Sequence, residues 1–170
     1  DVHGSPARRN RQLRALLASC DRRTATGRRD YAVLLLLSRL GLRAGEVAAL
    51  RLEDIDWRCG QIQVRGKGNR IERLPLPADV GAAVAAYLRR GRPGTALDRA
   101  VFVRVHAPHR TLTTGGITMI VFDNAARAGL GKVHAHRLRH TAATGMLQAG
   151  SPLAEVGQVL RHRSALTTAI

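Results

Sequence analysis

The sequence predicts a mainly helical domain with one small antiparallel β-sheet, an α+β fold. Apolar residues recur at helical spacing over most of the chain. Residues 61–65 and 70–76 instead show the alternation that is typical of strands, and the turn between them, residues 66–69, contains two glycines. A chain of 170 residues is long enough for one domain with a substantial core.

Residues 1–10 are polar, contain glycine and proline, and are expected to form an arm or linker. The domain itself is expected over residues 11–170. Its first helix is predicted over residues 11–20, where leucines recur at helical spacing. A turn around Gly27 then leads to a second helix, which is predicted to begin near Asp30, a residue type common at helix N-caps.

The remaining helices follow from the same periodicity. Gly41 is expected to end the second helix, because glycine often follows a helix C-terminus. A loop rich in proline, histidine and threonine is expected over residues 106–114. The further helices are predicted over residues 44–50, 78–89, 116–128, 137–148 and 152–160, with a last helical turn over residues 164–170.

The charge balance indicates the kind of partner. Lysine and arginine number 28 against 12 aspartate and glutamate, a formal net charge of +16, so the field of the protein favours a polyanion. Only 3% of the residues are aromatic, which leaves few rings for stacking single-stranded bases, and double-stranded DNA is the expected ligand. No apolar stretch approaches the roughly 20 residues of a membrane-spanning helix. With two cysteines and no leader pattern, the expected location is the reducing cytoplasm.

The segment His136-Arg137-Leu138-Arg139-His140 carries the strongest chemical signal. His136 and Arg139 are three residues apart, so an imidazole and a guanidinium share one face of a helix. A guanidinium suits phosphate oxygens and an imidazole can move a proton near neutral pH, which points to phosphoryl chemistry. A second imidazole, His162, follows the helix predicted from residue 152. A solvated basic helix face is the alternative interpretation.

Further residues could join this pair. Arg43 follows one predicted helix and precedes another, where a side chain can point into a cleft, and Glu46 lies close enough to orient it. Lys67, at the tip of the predicted hairpin, is free to swing towards a ligand. Arg65 or Arg70 could serve in its place.

These motifs, in this order, resemble the catalytic domain of the tyrosine recombinases, the phage integrase family, over residues 11–170. Residues 41–46 are similar to the family's first arginine box, and residues 66–70 to its β-hairpin lysine motif. Residues 136–141 are similar to its HxLRH box, and residues 160–164 to the segment that precedes the nucleophile. The resemblance implies a tyrosine-recombinase catalytic-domain fold and site-specific DNA recombination.

The resemblance also implies a role for each matched residue. Arg43 and Arg139 would bind the scissile phosphate, with a further hydrogen bond from His162. His136 would assist proton transfer at the tyrosine nucleophile, and Lys67 would protonate the leaving 5′-oxygen. The product would be a 3′-phosphotyrosyl intermediate, which another strand can reverse without a cofactor.

Glu46 and His140 have supporting roles in this scheme. The family's spacing places the nucleophilic tyrosine immediately after Ile170, nine residues after His162. Tyr31 and Tyr87 lie in predicted helices, where packing is the expected role. The 170 residues are therefore expected to bind DNA without cleaving it, as a chain cut short before its nucleophile.

The family's N-terminal core-binding domain has no counterpart in the sequence, which predicts a monomer in solution and a tetramer of the parent protein on DNA. No metal is expected. Two alternatives remain open: a non-catalytic DNA-binding domain with the recombinase shape, and a metal-binding module. The histidines that such a module could use are His134, His136 and His140, with His106 or His109.

Overall fold

The computed structural model describes residues 4–139, in which five helices pack with a three-stranded sheet. The helices are α1 (Pro6–Ala18), α2 (Ala25–Arg39), α3 (Ala44–Ala48), α4 (Ala78–Arg90) and α5 (Thr114–Arg127). The strands are β1 (Ile55–Asp56), β2 (Gln61–Arg65) and β3 (Ile71–Pro75), all antiparallel in the order β1-β2-β3. This architecture confirms the predicted mainly helical α+β fold.

The core is centred on α2. Residues 32–38 of this helix are all buried, so it lies inside the molecule with apolar neighbours on every side. It packs against α4 and α5, and the buried face of the sheet completes the core. Each fully buried leucine of this helix contributes about 1.5–3 kcal/mol by leaving water. The C-terminal half of α2 is therefore held in the core, and its end leads directly to Gly41 and Arg43.

The predicted hairpin is present with Lys67 in its turn. Arg65 pairs with Ile71 at the end of the ladder, and the Gly66 N–H donates to the Arg70 carbonyl at 2.7 Å. Gly68 has φ of 73°, a conformation that glycine adopts without steric cost. The turn between the strands is thus short and hydrogen-bonded at its base.

The first helix begins earlier than the sequence predicts. Residues 6–10, expected to belong to a polar arm, are helical because Pro6 occupies the first position and the Ser5 side chain accepts from the Arg8 N–H at 3.3 Å. None of these five residues is buried, which is why they carry no apolar signal. The start of the first helix predicted at residue 11 is therefore wrong.

The second helix also begins earlier, at Ala25 rather than near Asp30. Thr24 is the N-cap, and its hydroxyl accepts from the Gly27 N–H at 2.9 Å. Asp30 is a buried residue inside the helix, paired with Arg29 at 2.9 Å and with Arg127 at 3.3 Å. Asp30 was mistaken for an N-cap because a charged residue is not expected in the core, but here its arginine partners allow it to be buried.

The other predicted helices agree with the structure within two residues at each end. α2 ends at Arg39, and Gly41, which has φ of 64°, follows the C-cap residue Leu40, so the helix stops where glycine was predicted to stop it. Residues 135–139 are helical, and the rest of the helix predicted from residue 137 lies outside the described residues, as do the predicted segments 152–160 and 164–170. Among residues 4–139, no helix has the length and apolar character needed to cross a membrane.

Candidate active site

Arg43 lies in the short connection between α2 and α3, and its side chain is exposed. Its backbone is extended, with φ of −78° and ψ of 153°, because it is the N-cap residue of α3. The Arg43 N–H donates to Glu46 Oε1 at 2.8 Å, and the Glu46 carboxylate is buried. Glu46 therefore fixes the backbone from which the Arg43 guanidinium projects.

Arg139 reaches the same connection from the last described helical segment. Its Nε donates to the Gly41 carbonyl at 3.0 Å, although the two residues are 98 positions apart in the chain. Gly41 is only two residues before Arg43. The structure therefore brings the segments that carry the two arginines together at the C-terminal end of α2.

His136 lies one helical turn before Arg139 and is exposed. Its ring stacks on that of His134 with centroids 5.4 Å apart, and His134 in turn meets the edge of Phe122 at 5.3 Å. These ring contacts link the histidine segment to α5. His140 and His162 lie outside the described residues.

Lys67 occupies the exposed turn of the hairpin, next to the Arg43 connection. Glu46 shows this proximity, since its Oε2 would lie 3.7 Å from a Cβ atom at Gly66. One carboxylate thus holds the Arg43 backbone with one oxygen and lies beside the base of the Lys67 turn with the other. Arg43 and the Lys67 turn are therefore exposed on either side of the buried Glu46 carboxylate.

Arg65 has a different position from Lys67. Its Nη2 contacts Asp54 Oδ1 at 3.0 Å, and the Asp54 side chain is only 1% exposed. This contact holds Arg65 at the base of the hairpin, so Arg65 is poorly placed to substitute for Lys67. Arg70, like Lys67, is exposed.

Two further features of the sequence indicate functional residues in this region. Only Lys67 and Lys132 are lysines, against 26 arginines, and an ammonium can release a proton whereas a guanidinium cannot in proteins. The second signal is a repeated spacing, in which an arginine is followed three residues later by a carboxylate, at Arg43 and Glu46 and again at Arg51 and Asp54. Asp54 is the residue of this region to which the sequence assigned no role.

The two tyrosines have packing roles in the structure. Tyr87 is 1% exposed, stacks on Phe102 with centroids 5.2 Å apart, and accepts from the Val103 N–H at 3.3 Å. Burial raises the pKa of Tyr87 above its ordinary value. Tyr31 lies in the first half of α2 with the Arg22 guanidinium 4.3 Å above its ring.

The histidines do not form a metal centre in the part of the structure that is described. Over residues 4–139, no group of three or more histidine, cysteine, aspartate or glutamate side chains could hold a metal ion. The stacked rings of His134 and His136 instead pack against each other. His140, the third histidine of the metal-binding alternative, lies outside these residues.

Comparison with known proteins identifies relatives of the chain. The model of the "Phage integrase family" matches residues 8–170. The chain is 51% identical over 158 residues to "Putative integrase/recombinase y4rA" of Sinorhizobium fredii, a match that covers 91% of this chain and 38% of that protein. It is 37% identical over 166 residues to tyrosine recombinase XerC of Oceanobacillus iheyensis, covering 94% and 53% of the two chains. The chain thus spans about half the length of these relatives, or less.

Solved structures have the same fold. The crystal structure of XerA recombinase superposes with a TM-score of 0.82 at 28% sequence identity, covering 94% of this chain and 56% of that one. XerH site-specific recombinase, bound to a palindromic difH substrate after cleavage, superposes with a TM-score of 0.78 at 24% identity, covering 94% and 47%.

Proposed function

The chain belongs to the phage integrase family, and from this premise we propose that its site residues cut and rejoin duplex DNA through a 3′-phosphotyrosyl intermediate. One observation carries the proposal for this chain. Arg139 Nε donates to the Gly41 carbonyl at 3.0 Å, which brings the Arg139 segment to the connection that carries Arg43. Two guanidinium groups on adjacent segments suit the two non-bridging oxygens of one phosphate.

The proposed chemistry follows from the charges that develop at phosphorus. The phenolic oxygen of a tyrosine forms a bond to phosphorus while the bond from phosphorus to the 5′-oxygen breaks. Arg43 and Arg139 stabilise the negative charge on the non-bridging oxygens, and His162 donates a further hydrogen bond. His136 receives the phenolic proton, and Lys67 gives a proton to the leaving 5′-oxygen. Attack by a 5′-hydroxyl on the phosphotyrosine reverses these steps, so the bond energy is conserved.

The nucleophile in this proposal is a tyrosine that directly follows Ile170, as the family's spacing from His162 implies. The structure supports the choice against the two tyrosines that the sequence contains, since Tyr87 is buried and Tyr31 lies towards the far end of α2. The 170 residues would then bind DNA without forming the covalent bond. We propose that they are monomeric in solution and that the whole protein forms a tetramer on DNA, states that light scattering measures.

A duplex with a nick near the cleavage position tests the proposal, because loss of the short fragment traps the covalent complex. The whole protein is expected to form an adduct that survives detergent, and the 170-residue chain none. Arg43→Gln in the whole protein should slow adduct formation by about 10²–10³, the usual cost of one charge-stabilising donor. The matched control is Arg58→Gln, which removes an exposed arginine from the turn after β1.

The outcomes separate the alternatives clearly. An adduct mapped by mass spectrometry to Tyr31 or Tyr87 would disprove the proposed nucleophile. DNA binding without any adduct from the whole protein would leave the non-catalytic DNA-binding domain as the function.

A further inference from the structure

Two buried carboxylates on the segment 43–54 each accept a hydrogen bond from the backbone N–H of the arginine three residues earlier. Glu46 accepts from the Arg43 N–H at 2.8 Å, and Asp54 accepts from the Arg51 N–H at 2.9 Å through Oδ2. Each carboxylate keeps its second oxygen turned towards the hairpin, where Glu46 Oε2 lies near Gly66 and Asp54 Oδ1 bonds Arg65. The segment that carries Arg43 is therefore joined to the hairpin that carries Lys67.

The contact of Arg65 with Asp54 lies beyond the last backbone pair between β1 and β2. β1 pairs with β2 through Ile55 with Ile62 and Asp56 with Gln61, whereas Arg65 is three residues further along β2. The end of β2 nearest to Lys67 is therefore beyond the backbone ladder of β1. At that point a guanidinium that is partly exposed meets a carboxylate that is almost completely buried.

The burial of Asp54 gives this contact more weight than an ordinary surface ion pair has. Exposed ion pairs contribute little to stability, but a buried carboxylate that loses its cation is left poorly solvated. Without Arg65, the hairpin end loses its attraction to Asp54, and we expect it to shift relative to the segment that carries Arg43.

We infer that Arg65 is a positioning residue for Lys67: by binding Asp54, it holds the hairpin turn where the Lys67 ammonium reaches the leaving oxygen of the phosphate. The inference rests on the proposed function, since it assumes that Lys67 is the proton donor. Arg65 itself contacts no reacting atom in this scheme. Its effect on the rate is exerted entirely through the location of Lys67.

A change of leaving group isolates that effect. In DNA with a sulfur atom in place of the bridging 5′-oxygen, the leaving thiolate departs without protonation, so cleavage no longer depends on a proton donor. In the whole protein, Lys67→Ala is expected to be slow on the oxygen substrate, by about 10²–10⁴, and to recover on the sulfur substrate. The rates of this variant on the two substrates define the pattern expected when the proton donor is lost.

Arg65→Gln is expected to behave as a weaker copy of Lys67→Ala. A displacement of about 1 Å can cost up to roughly 10²-fold in rate, so we expect cleavage of the oxygen substrate to slow by about 10- to 100-fold. On the sulfur substrate, the cleavage rate of Arg65→Gln should equal that of the unsubstituted protein. Arg65→Lys, which keeps the charge beside Asp54, should restore part of the rate on oxygen, and Arg58→Gln should change neither rate.

Each outcome decides the inference. If Arg65→Gln is equally slow on both substrates, Arg65 has a general structural role and the inference is wrong. A normal rate on the oxygen substrate would also overturn it. If Lys67→Ala fails to recover on sulfur, then Lys67 is not the proton donor and the proposed role of that residue fails together with the inference.

A second measurement uses the 170-residue chain directly. Because Lys67 and Lys132 are its only lysines, acylation followed by mass spectrometry compares the hairpin turn with an internal reference. Bound DNA should protect Lys67 from acylation relative to Lys132 in the unsubstituted chain, and this protection should weaken in Arg65→Gln but not in Arg58→Gln. Unchanged protection in Arg65→Gln would contradict the inference.

Discussion

Cys20 and Cys59 have the same chemistry in the sequence but different surroundings in the structure. Cys20 is 8% exposed, and its thiol donates to Asn124 Oδ1 at 3.3 Å. Burial, with a smaller contribution from the Asp30 charge, raises the pKa of Cys20 to about 11. Cys59 is exposed, and its hydrogen bond with Asp56 raises the pKa of that thiol above its ordinary value.

These surroundings predict a large difference in thiol reactivity. At pH 8, a thiol reagent should modify Cys59 in the native protein, because the small thiolate fraction of this cysteine is accessible. Cys20 should react only when the protein unfolds, since it is both buried and protonated. Mass spectrometry of the labelled chain measures this, and Cys59→Ser should show almost no native-state labelling. Equal labelling rates at the two positions would disprove the burial of Cys20.

The raised pKa of Cys20 also has a consequence for stability at high pH. A group whose pKa is higher in the folded state stabilises the protein fully below its unfolded pKa, here near 9. That contribution should be lost as the pH rises from about 9 to about 11. Cys20→Ala should therefore show a weaker fall in unfolding free energy over this interval than the unsubstituted chain.

At the scale of elements, the turn that leads into α2 depends on Gly27. A Cβ atom on this residue would lie 1.7 Å from the Asp21 carbonyl oxygen, far inside contact distance. Gly81 in α4 is different, because a Cβ atom there would meet Leu76 at 3.5 Å, an ordinary contact. The structure therefore has no space for a methyl group at Gly27 but has space for one at Gly81.

Alanine at these two positions is expected to have opposite effects. Gly27→Ala should lower the unfolding free energy by about 2 kcal/mol, because the backbone from Asp21 to Gly27 must move to accept the methyl group. Gly81→Ala should raise it by about 0.5–1 kcal/mol, because alanine has the higher helix propensity. Denaturant unfolding followed by circular dichroism measures both. A Gly27→Ala variant as stable as the unsubstituted chain would show that this turn can adjust freely.

The sequence predicted those elements whose signal is local. The hairpin was found because alternation over β2 and β3 and a glycine-rich turn lie within 15 residues, 61–75. The start of α2 was misplaced because Thr24 and Asp30 are both good capping residues, and only the distant Arg127 and Asn124 show that Asp30 is buried. Long-range contacts of this kind leave no trace in a local pattern.

The same limit applies to the candidate site. The arginines and the lysine were predicted through motifs of the family, but the contact between Arg139 and Gly41 joins residues 98 positions apart. The link from Asp54 to Arg65 is a side-chain contact that neither periodicity nor turn chemistry encodes. The motifs in the sequence therefore identified the candidate site residues, and the structure identified the contacts around them.

For the whole molecule, the question is whether DNA affinity comes from a defined site or from the overall charge of +16. Many carboxylates of the described residues are already engaged by arginine, and the hydrogen bond from Arg51 holds the pKa of Glu53 at about 2. The total charge alone predicts binding, but it predicts no preferred surface.

The salt dependence of binding distinguishes the two cases. The logarithm of the DNA association constant should fall linearly with the logarithm of salt concentration, and each phosphate contact contributes about 0.9 to the slope. Arg43→Gln should reduce the slope by about that amount, because Arg43 is proposed to contact a phosphate directly. The control is Arg23→Gln, which removes the same charge from the turn before α2, about 20 Å away along that helix.

Fluorescence anisotropy with a labelled duplex, over a series of salt concentrations, gives both slopes. Arg23→Gln should weaken binding slightly at low salt through the general field, and it should leave the number of released ions unchanged. Equal reductions of the slope in both variants would mean that DNA contacts the whole basic surface alike. In that case Arg43 would be one of many equivalent charges, and the proposed pairing of Arg43 with Arg139 on one phosphate would not determine where the DNA binds.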